Sequence, residues 1–114
     1  MDGFDEQTTD FLYLLAYLYM QQSKYDVALQ LFRILRLHAP ENQKTALALA
    51  SCLNKAKRPE EGLKVLKSLD EQKLSFDQKI AYFYIMSKVL WDLKETDASR
   101  ETLHKYLKIR QLKQ

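Results

Sequence analysis

Hydrophobic residues recur at spacings of three and four along most of the chain, which is the period of helices that bury one face. One such run extends over residues 5–22 and a second over residues 25–38. The polar residues 21–24 form the turn between them. The second run ends before Pro40, because a proline pushes the residue ahead of it out of the helical region. The pattern therefore predicts two antiparallel helices joined by a short turn.

This helix pair recurs twice more. Each copy has a small residue at two positions where the helices must cross closely, and these residues are Ala16 and Ala28, Ala50 and Gly62, and Ser87 and Ser99. Before the third copy, Ser75 to Gln78 have the sequence of a capping box, which predicts the start of a fifth helix. We therefore predict a single domain over residues 1–114 with three helix pairs, at about 9–42, 43–76 and 80–113.

Several residues of the first copy stand at the apolar, small, aromatic and proline positions of a known 34-residue pattern. They are Leu12, Leu15, Ala16, Tyr19, Ala28, Phe32 and Pro40. In these residues the chain resembles a tetratricopeptide repeat. The resemblance implies an all-α fold, in which three tandem tetratricopeptide helix-turn-helix repeats form a short right-handed superhelix of six helices.

The composition, 46% hydrophobic and 29% charged residues in a chain of 114, is that of one globular domain of modest size. With only 2 Gly and 2 Pro, the chain has no flexible linker. The first residues are acidic and lack the features of a secretory signal peptide, and no apolar stretch reaches the roughly 20 residues of a membrane span. We therefore expect a cytoplasmic protein without a membrane span.

No catalytic or metal-binding pattern is visible in the sequence. His38 and His104 stand in different copies, and the single cysteine, Cys52, lies in a predicted helix where a buried, inert thiol is expected. The glycines are isolated, so there is no phosphate-binding loop. We expect a protein that is not an enzyme and that uses no cofactor and no metal.

The resemblance also implies which residues face a ligand, since in stacked repeats of this kind the first helix of each pair lines the concave surface. The predicted partner-binding residues are Tyr13, Tyr17, Met20, Leu47, Ser51, Asn54, Tyr84, Lys88 and Trp91. The same inner positions include Asp10, Lys44 and Ala81. Tyrosine, tryptophan and methionine combine large contact area with a polar group or a flexible chain, which is typical of a recognition surface.

The same stripe has a second interpretation, because apolar residues at helical spacing usually form a closed core. In the first helix, however, the core positions are filled separately by Leu12, Leu15, Ala16 and Tyr19. This arrangement favours a groove that binds an extended apolar segment or an amphipathic helix. Repeats that clamp a terminal carboxylate carry lysine and asparagine where this chain has Tyr13 and Tyr17, so we do not expect a carboxylate clamp.

A narrower resemblance rests on QTTDFLYLLAYLYMQQ from Gln7 to Gln22, on Pro40, and on DASRETLHKYLKI from Asp97 to Ile109. Here the chain is similar to the small cytoplasmic chaperones of bacterial type III secretion systems, of the YscY type. The YscG type, a co-chaperone of the needle subunit, has the same architecture and is the second choice. The resemblance implies a heterodimer with a small secreted protein, which is kept soluble and export-competent, and docking to the secretion export apparatus.

Other functions stay open at this point. A generic scaffold or adaptor in a multiprotein complex would have the same sequence features. A nucleic-acid partner is not expected, because Lys44, Lys55 and Lys88 are few and the net charge is only +3. The final helix lacks a polar cap, so its apolar residues either pack on the fifth helix or are covered by a partner, and self-association through this helix is a further alternative. These residues are Leu103, Tyr106, Leu107 and Ile109.

Overall fold

The computed structural model describes residues 4–113, and in this part of the chain it contains six α-helices, one short 3-10 helix and no strand. The α-helices are α1 (Glu6–Gln21), α2 (Tyr25–His38), α3 (Gln43–Lys55), α4 (Pro59–Lys67), α5 (Phe76–Asp92) and α6 (Thr96–Leu112), and the 3-10 helix is Glu71–Lys73. The predicted all-α fold with six helices in tandem pairs is confirmed. Residues 1–3 and 114, the ends of the predicted domain, lie outside the described residues.

The helices stack in sequence order. The pairs α1 with α2, α3 with α4, and α5 with α6 pack against each other, and the pairs are joined by contacts of α3 with α1 and α2 and of α5 with α3 and α4. The stack measures 43 × 28 × 24 Å. One apolar core lies between the first pair and α3, and a second lies among α3, α4, α5 and α6.

The turn inside each pair has the same backbone conformation. Ser23, Lys57 and Lys94 all have positive φ, at 63°, 66° and 68°. The amide that follows each of them donates to a carbonyl in the last turn of the first helix at 2.9 Å, and the donor–acceptor pairs are Lys24 to Tyr19, Arg58 to Leu53, and Glu95 to Leu90. These bonds form a Schellman motif, which reverses the chain tightly and makes the two helices antiparallel.

Lys57→Gly is expected to raise the free energy of unfolding by about 0.5–1 kcal/mol, because relief of the left-handed strain exceeds the entropy that glycine adds to the unfolded chain. Lys64→Gly, the same substitution inside helix α4, is expected to lower it by about 1 kcal/mol. Urea denaturation followed by circular dichroism measures both. A loss of stability in Lys57→Gly as large as that in Lys64→Gly would contradict the assignment of strain to this turn.

The small residues predicted at the helix crossings are buried. Ser99 Oγ donates a hydrogen bond of 2.7 Å to the carbonyl of Ser87, which joins α6 to α5. A Cβ atom built on Gly62 would lie 3.2 Å from the carbonyl oxygen of Ala50, so α4 approaches the backbone of α3 directly. The capping box at α5 is also confirmed, since Ser75 Oγ accepts from the amide of Gln78 and Gln78 Oε1 accepts from the amide of Ser75.

Among the exposed apolar side chains, those on α1 and α6 bear on the predictions. On α1, Phe11, Leu14 and Leu18 form an apolar stripe that we call the α1 outer face. On α6, Tyr106 and Ile109 pack against the second core, while Leu103 and Leu107 are exposed. Part of the final helix therefore packs on the fold, and coverage of the exposed part by a partner or a second copy stays a prediction.

Cys52 is fully buried in the first core, as predicted. Burial raises the pKa of its thiol to about 11, against the opposing effect of the charges of Arg33 and Lys55. Roughly a thousandth of such a thiol is ionised at about pH 8, and the thiolate is the reactive form. We therefore expect no reaction of the folded protein with Ellman's reagent and complete reaction after denaturation. Rapid reaction in the folded state would show that α3 opens readily.

Candidate functional site

An open groove of about 450 Å³ lies along the first helices of the three pairs. Residues of α1, α3 and α5 line it: Tyr13, Tyr17, Met20, Lys44, Leu47, Ala48, Ser51, Lys55, Asp77, Gln78, Ala81, Tyr84 and Ile85. We call this set the concave groove. Residues three or four apart share one face of a helix, so each of the three helices turns a continuous stripe toward the groove.

One wall of the concave groove is aromatic. The rings of Tyr13 and Tyr17 are stacked with their centroids 6.3 Å apart, and Tyr13 meets the buried ring of Phe32 edge-on at 5.9 Å. Burial raises the pKa of the Tyr13 hydroxyl, and Tyr17 adds to the effect. Tyr13 is thus held by the core of the first pair, while Tyr17 is 42% exposed and available for contact.

The opposite wall comes from the third pair. Tyr84 of α5 is exposed, and its ring lies 5.3 Å from that of Tyr106 on α6. Gln78, Ala81 and Ile85 continue the same stripe. The two tyrosine-bearing walls belong to helices of different pairs, so the shape of the groove depends on how the pairs stack.

Six of the nine predicted partner-binding residues line the concave groove, namely Tyr13, Tyr17, Met20, Leu47, Ser51 and Tyr84. Met20 and Leu47 are only 6% and 5% exposed, so they form its floor and also belong to the cores. For these two side chains, the closed-core interpretation and the groove interpretation both hold. Their contact with a partner stays a prediction.

The structure does not bring Asn54, Lys88 and Trp91 into the concave groove. The residues of α5 that line the groove end at Ile85, and Lys88 and Trp91 lie further along the helix. There Lys88 and Trp91 line a smaller concavity of about 230 Å³ together with Tyr84, Ser87, Asp92, Ser99 and Leu103. Asn54 is half-buried near the end of α3. Tyr84 lines both concavities, so Lys88 and Trp91 lie next to the concave groove rather than in it. Their contact with a partner stays a prediction, as does that of Asn54.

Sequence reasoning missed several residues of the concave groove: Ala48, Lys55, Asp77, Gln78 and Ile85. Ala48, Lys55 and Ile85 each follow a predicted inner residue by one position, so a wider stripe would have included them. Asp77 and Gln78 lie at the start of α5, and their place depends on the stacking of α5 on α3. No signal within one repeat indicates that stacking.

Charged side chains lie at the edges of the concave groove and, in the case of Lys88, just beyond it. Lys44 Nζ is 4.2 Å from the ring centroid of Tyr13, and Lys88 Nζ is 5.4 Å from that of Tyr84. Both are cation–π distances. Asp77 Oδ1 is 2.6 Å from Lys113 Nζ, near the end of α6. The carboxylate of the groove is therefore paired within the chain.

Another concavity, of about 550 Å³, is lined by Arg33, Arg36, Leu37 and Pro40. These residues belong to α2 and the loop that follows it, so this concavity is lined by a single helix pair, unlike the concave groove. Within residues 4–113, no group of three or more His, Cys, Asp or Glu side chains is arranged to hold a metal ion. No helix in that range has the length and apolar character needed to cross a membrane.

A stack of antiparallel helix pairs with a groove along its first helices defines the chain as a helical-repeat protein. The family model for the tetratricopeptide repeat matches residues 19–84, from the end of α1 into α5. This is more than half of the chain, and the protein belongs to the tetratricopeptide-repeat family. A search of curated proteins found no match. The repeat supports protein–protein interaction, and proteins of this family are typically scaffolds without enzymatic activity.

Proposed function

We propose that this protein is a cytoplasmic chaperone of a bacterial type III secretion system. It binds a small secreted or needle-assembly protein in the concave groove, as a heterodimer, and keeps that client soluble and export-competent. The observation that carries the proposal is the exposure of Tyr17 and Tyr84 on the two walls of a groove built from three first helices. The resemblance to YscY-type chaperones gives the proposal its biological setting.

The proposed mechanism is binding alone. Tyrosines present a large apolar ring and a hydroxyl that stays hydrated. The empty groove is therefore stable, and covering its rings contributes favourable binding free energy. Covering apolar area contributes about 25 cal/mol per Å², from which the cost of ordering the client is subtracted. A client that is bound is removed from the pool that aggregates or polymerises, until the export apparatus takes it.

Tyr17→Ala and Tyr84→Ala are each expected to weaken client binding about tenfold, because exposed tyrosines at the centre of an interface are frequent hot spots. Both side chains are largely outside the cores, so the free energy of unfolding should change by less than about 1 kcal/mol. Tagged variants are expressed in the native host, and the client retained through gel filtration is identified by mass spectrometry. Phe11→Ala, on the α1 outer face, is the matched control and should retain the client.

The outcome tests the groove as the binding site and the chaperone function separately. A small secreted protein that is lost from the Tyr17 and Tyr84 variants and kept by Phe11→Ala supports both claims. A client kept by all three variants contradicts the groove as its site. Trp91→Ala tests the smaller concavity beside α6 in the same way, since Trp91 is 57% exposed.

A scaffold or adaptor role is the second candidate, and the α1 outer face favours it. Phe11 and Leu14 are 63% and 65% exposed, and with Leu18 they provide apolar surface separate from the concave groove. Exposed apolar patches of this kind mark interaction sites. If Phe11→Ala releases one protein and Tyr17→Ala releases another, the chain joins two partners and the adaptor role is supported.

A further inference from the structure

The positive charges that line the concave groove have no salt-bridge partner among residues 4–113. Lys44 and Lys55 line the groove, and neither lies in a salt bridge with any residue in the range 4–113. The carboxylate that lines it, Asp77, is held by Lys113 at 2.6 Å. The groove is therefore an apolar surface with uncompensated cations.

The lysines are placed beside the groove tyrosines rather than away from them. Lys44 Nζ lies over the ring of Tyr13 on the α1 side, and Lys88 Nζ lies over the ring of Tyr84 on the α5 side. A ring face attracts the ammonium group and keeps it against the apolar wall. A segment that packs on these rings therefore brings its own polar side chains within reach of both cations.

We propose that the concave groove is specific for an acidic amphipathic segment of a partner protein. Apolar side chains of the segment cover Tyr17, Tyr84 and Leu47, and its aspartates or glutamates pair with Lys44, Lys55 and Lys88. Complementary charges at the rim of an interface set partner choice and rate of association. This inference rests on the proposed function only in requiring that the groove binds a protein segment.

Other occupants fit less well. A basic segment would bring like charges against the lysines, which disfavours binding. A nucleic acid also carries negative charge, but its binding depends on many phosphate contacts, whereas the floor of this groove is formed by Met20 and Leu47. An apolar floor with cations only at the edges suits a segment that has one apolar face and one acidic face.

Three fluorescein-labelled synthetic peptides test the charge preference. They share leucine and tyrosine residues at helical spacing and carry glutamate, glutamine or lysine at all other positions. By fluorescence anisotropy, we expect the glutamate peptide to bind about tenfold more tightly than the glutamine peptide, and the lysine peptide to bind most weakly. The preference should shrink between about 50 mM and about 500 mM NaCl, since salt screens exposed charges.

Lysine variants assign the preference to the groove. In the double variant K44Q/K55Q, which keeps Lys88, the preference for the glutamate peptide over the glutamine peptide should fall from about tenfold to about twofold. The control K64Q/K67Q removes the same charge from exposed positions on α4, outside the groove, and should keep the full preference. Circular dichroism of both double variants checks that they are folded.

Each contrary result has its own meaning. Equal binding of the three peptides overturns the charge preference and leaves a protein-binding groove in place. A preference that stays about tenfold in K44Q/K55Q overturns it too, because its source would lie elsewhere. A single-stranded RNA oligonucleotide is also used as a competitor. If it displaces the labelled glutamate peptide at a lower concentration than the unlabelled glutamate peptide does, the inference is overturned in favour of nucleic acid. If no peptide binds, the inference fails, and the client experiment with Tyr17→Ala decides separately whether the proposed function fails.

Discussion

Phe32→Ala is expected to lower the free energy of unfolding by about 3–5 kcal/mol, the cost of removing a buried aromatic ring and leaving a cavity. Phe32 is 0% exposed and is among the largest fully buried side chains. It lies on α2 within the first core, where α1, α2 and α3 meet. Because domains of this size are stable by about 5–15 kcal/mol in total, such a loss brings the protein close to unfolding.

Urea denaturation followed at the helical circular dichroism band measures this change. Leu37→Ala, on the same helix, is the matched control, since Leu37 is 82% exposed and its removal should alter the free energy of unfolding by less than about 0.5 kcal/mol. Similar losses in the two variants would contradict the placement of Phe32. Because Tyr13 packs edge-on against Phe32, the variant should also bind the client more weakly at temperatures where it is still folded.

Gly62→Leu is expected to lower the free energy of unfolding by about 3 kcal/mol, at the upper end of the usual cost of overpacking. Even a single Cβ at this position would lie 3.2 Å from the carbonyl oxygen of Ala50 and in contact with Leu53 and Val89. A leucine side chain must therefore push α4 away from α3 or from α5. The damage would reach two helix pairs, because Val89 belongs to the next one.

Two further variants make this result interpretable. Gly62→Ala should change the free energy of unfolding by less than about 1 kcal/mol, because the helical preference of alanine offsets the tight contact. Lys64→Leu places the same leucine on the exposed side of α4 and should have little effect. Thermal unfolding of the three variants gives the comparison. A melting temperature of Gly62→Leu close to that of Lys64→Leu would show that α4 and α3 are not in close contact.

The helices and their ends were predictable from the sequence because the signals are local. Spacings of three and four residues indicate a helix, Pro40 ends α2, and Ser75 with Gln78 caps α5. Each signal depends on residues less than two helical turns apart. The positions of these helices therefore did not require knowledge of the stack.

The concave groove was predictable only in part. The resemblance to stacked repeats indicated which side of each first helix turns inward, and Tyr13, Tyr17 and Tyr84 line the groove accordingly. The resemblance did not indicate how far along α5 the groove extends. Lys88 and Trp91, which were predicted on the groove, line the smaller concavity beside it, and their contact with a partner stays a prediction. The extent of the groove is set by the angle at which one pair packs on the next, which arises from side chains far apart in the chain.

The order of contacts in the stack has a consequence for cooperativity. Each helix packs mainly on its neighbours in the chain, so an end pair can open while the other pairs stay folded. A segment bound along α1, α3 and α5 touches all three pairs at once, and no pair can then open without releasing it. Occupancy of the groove would convert three semi-independent units into one, and amide hydrogen exchange in α2 and α6 would slow together although neither helix lines the groove.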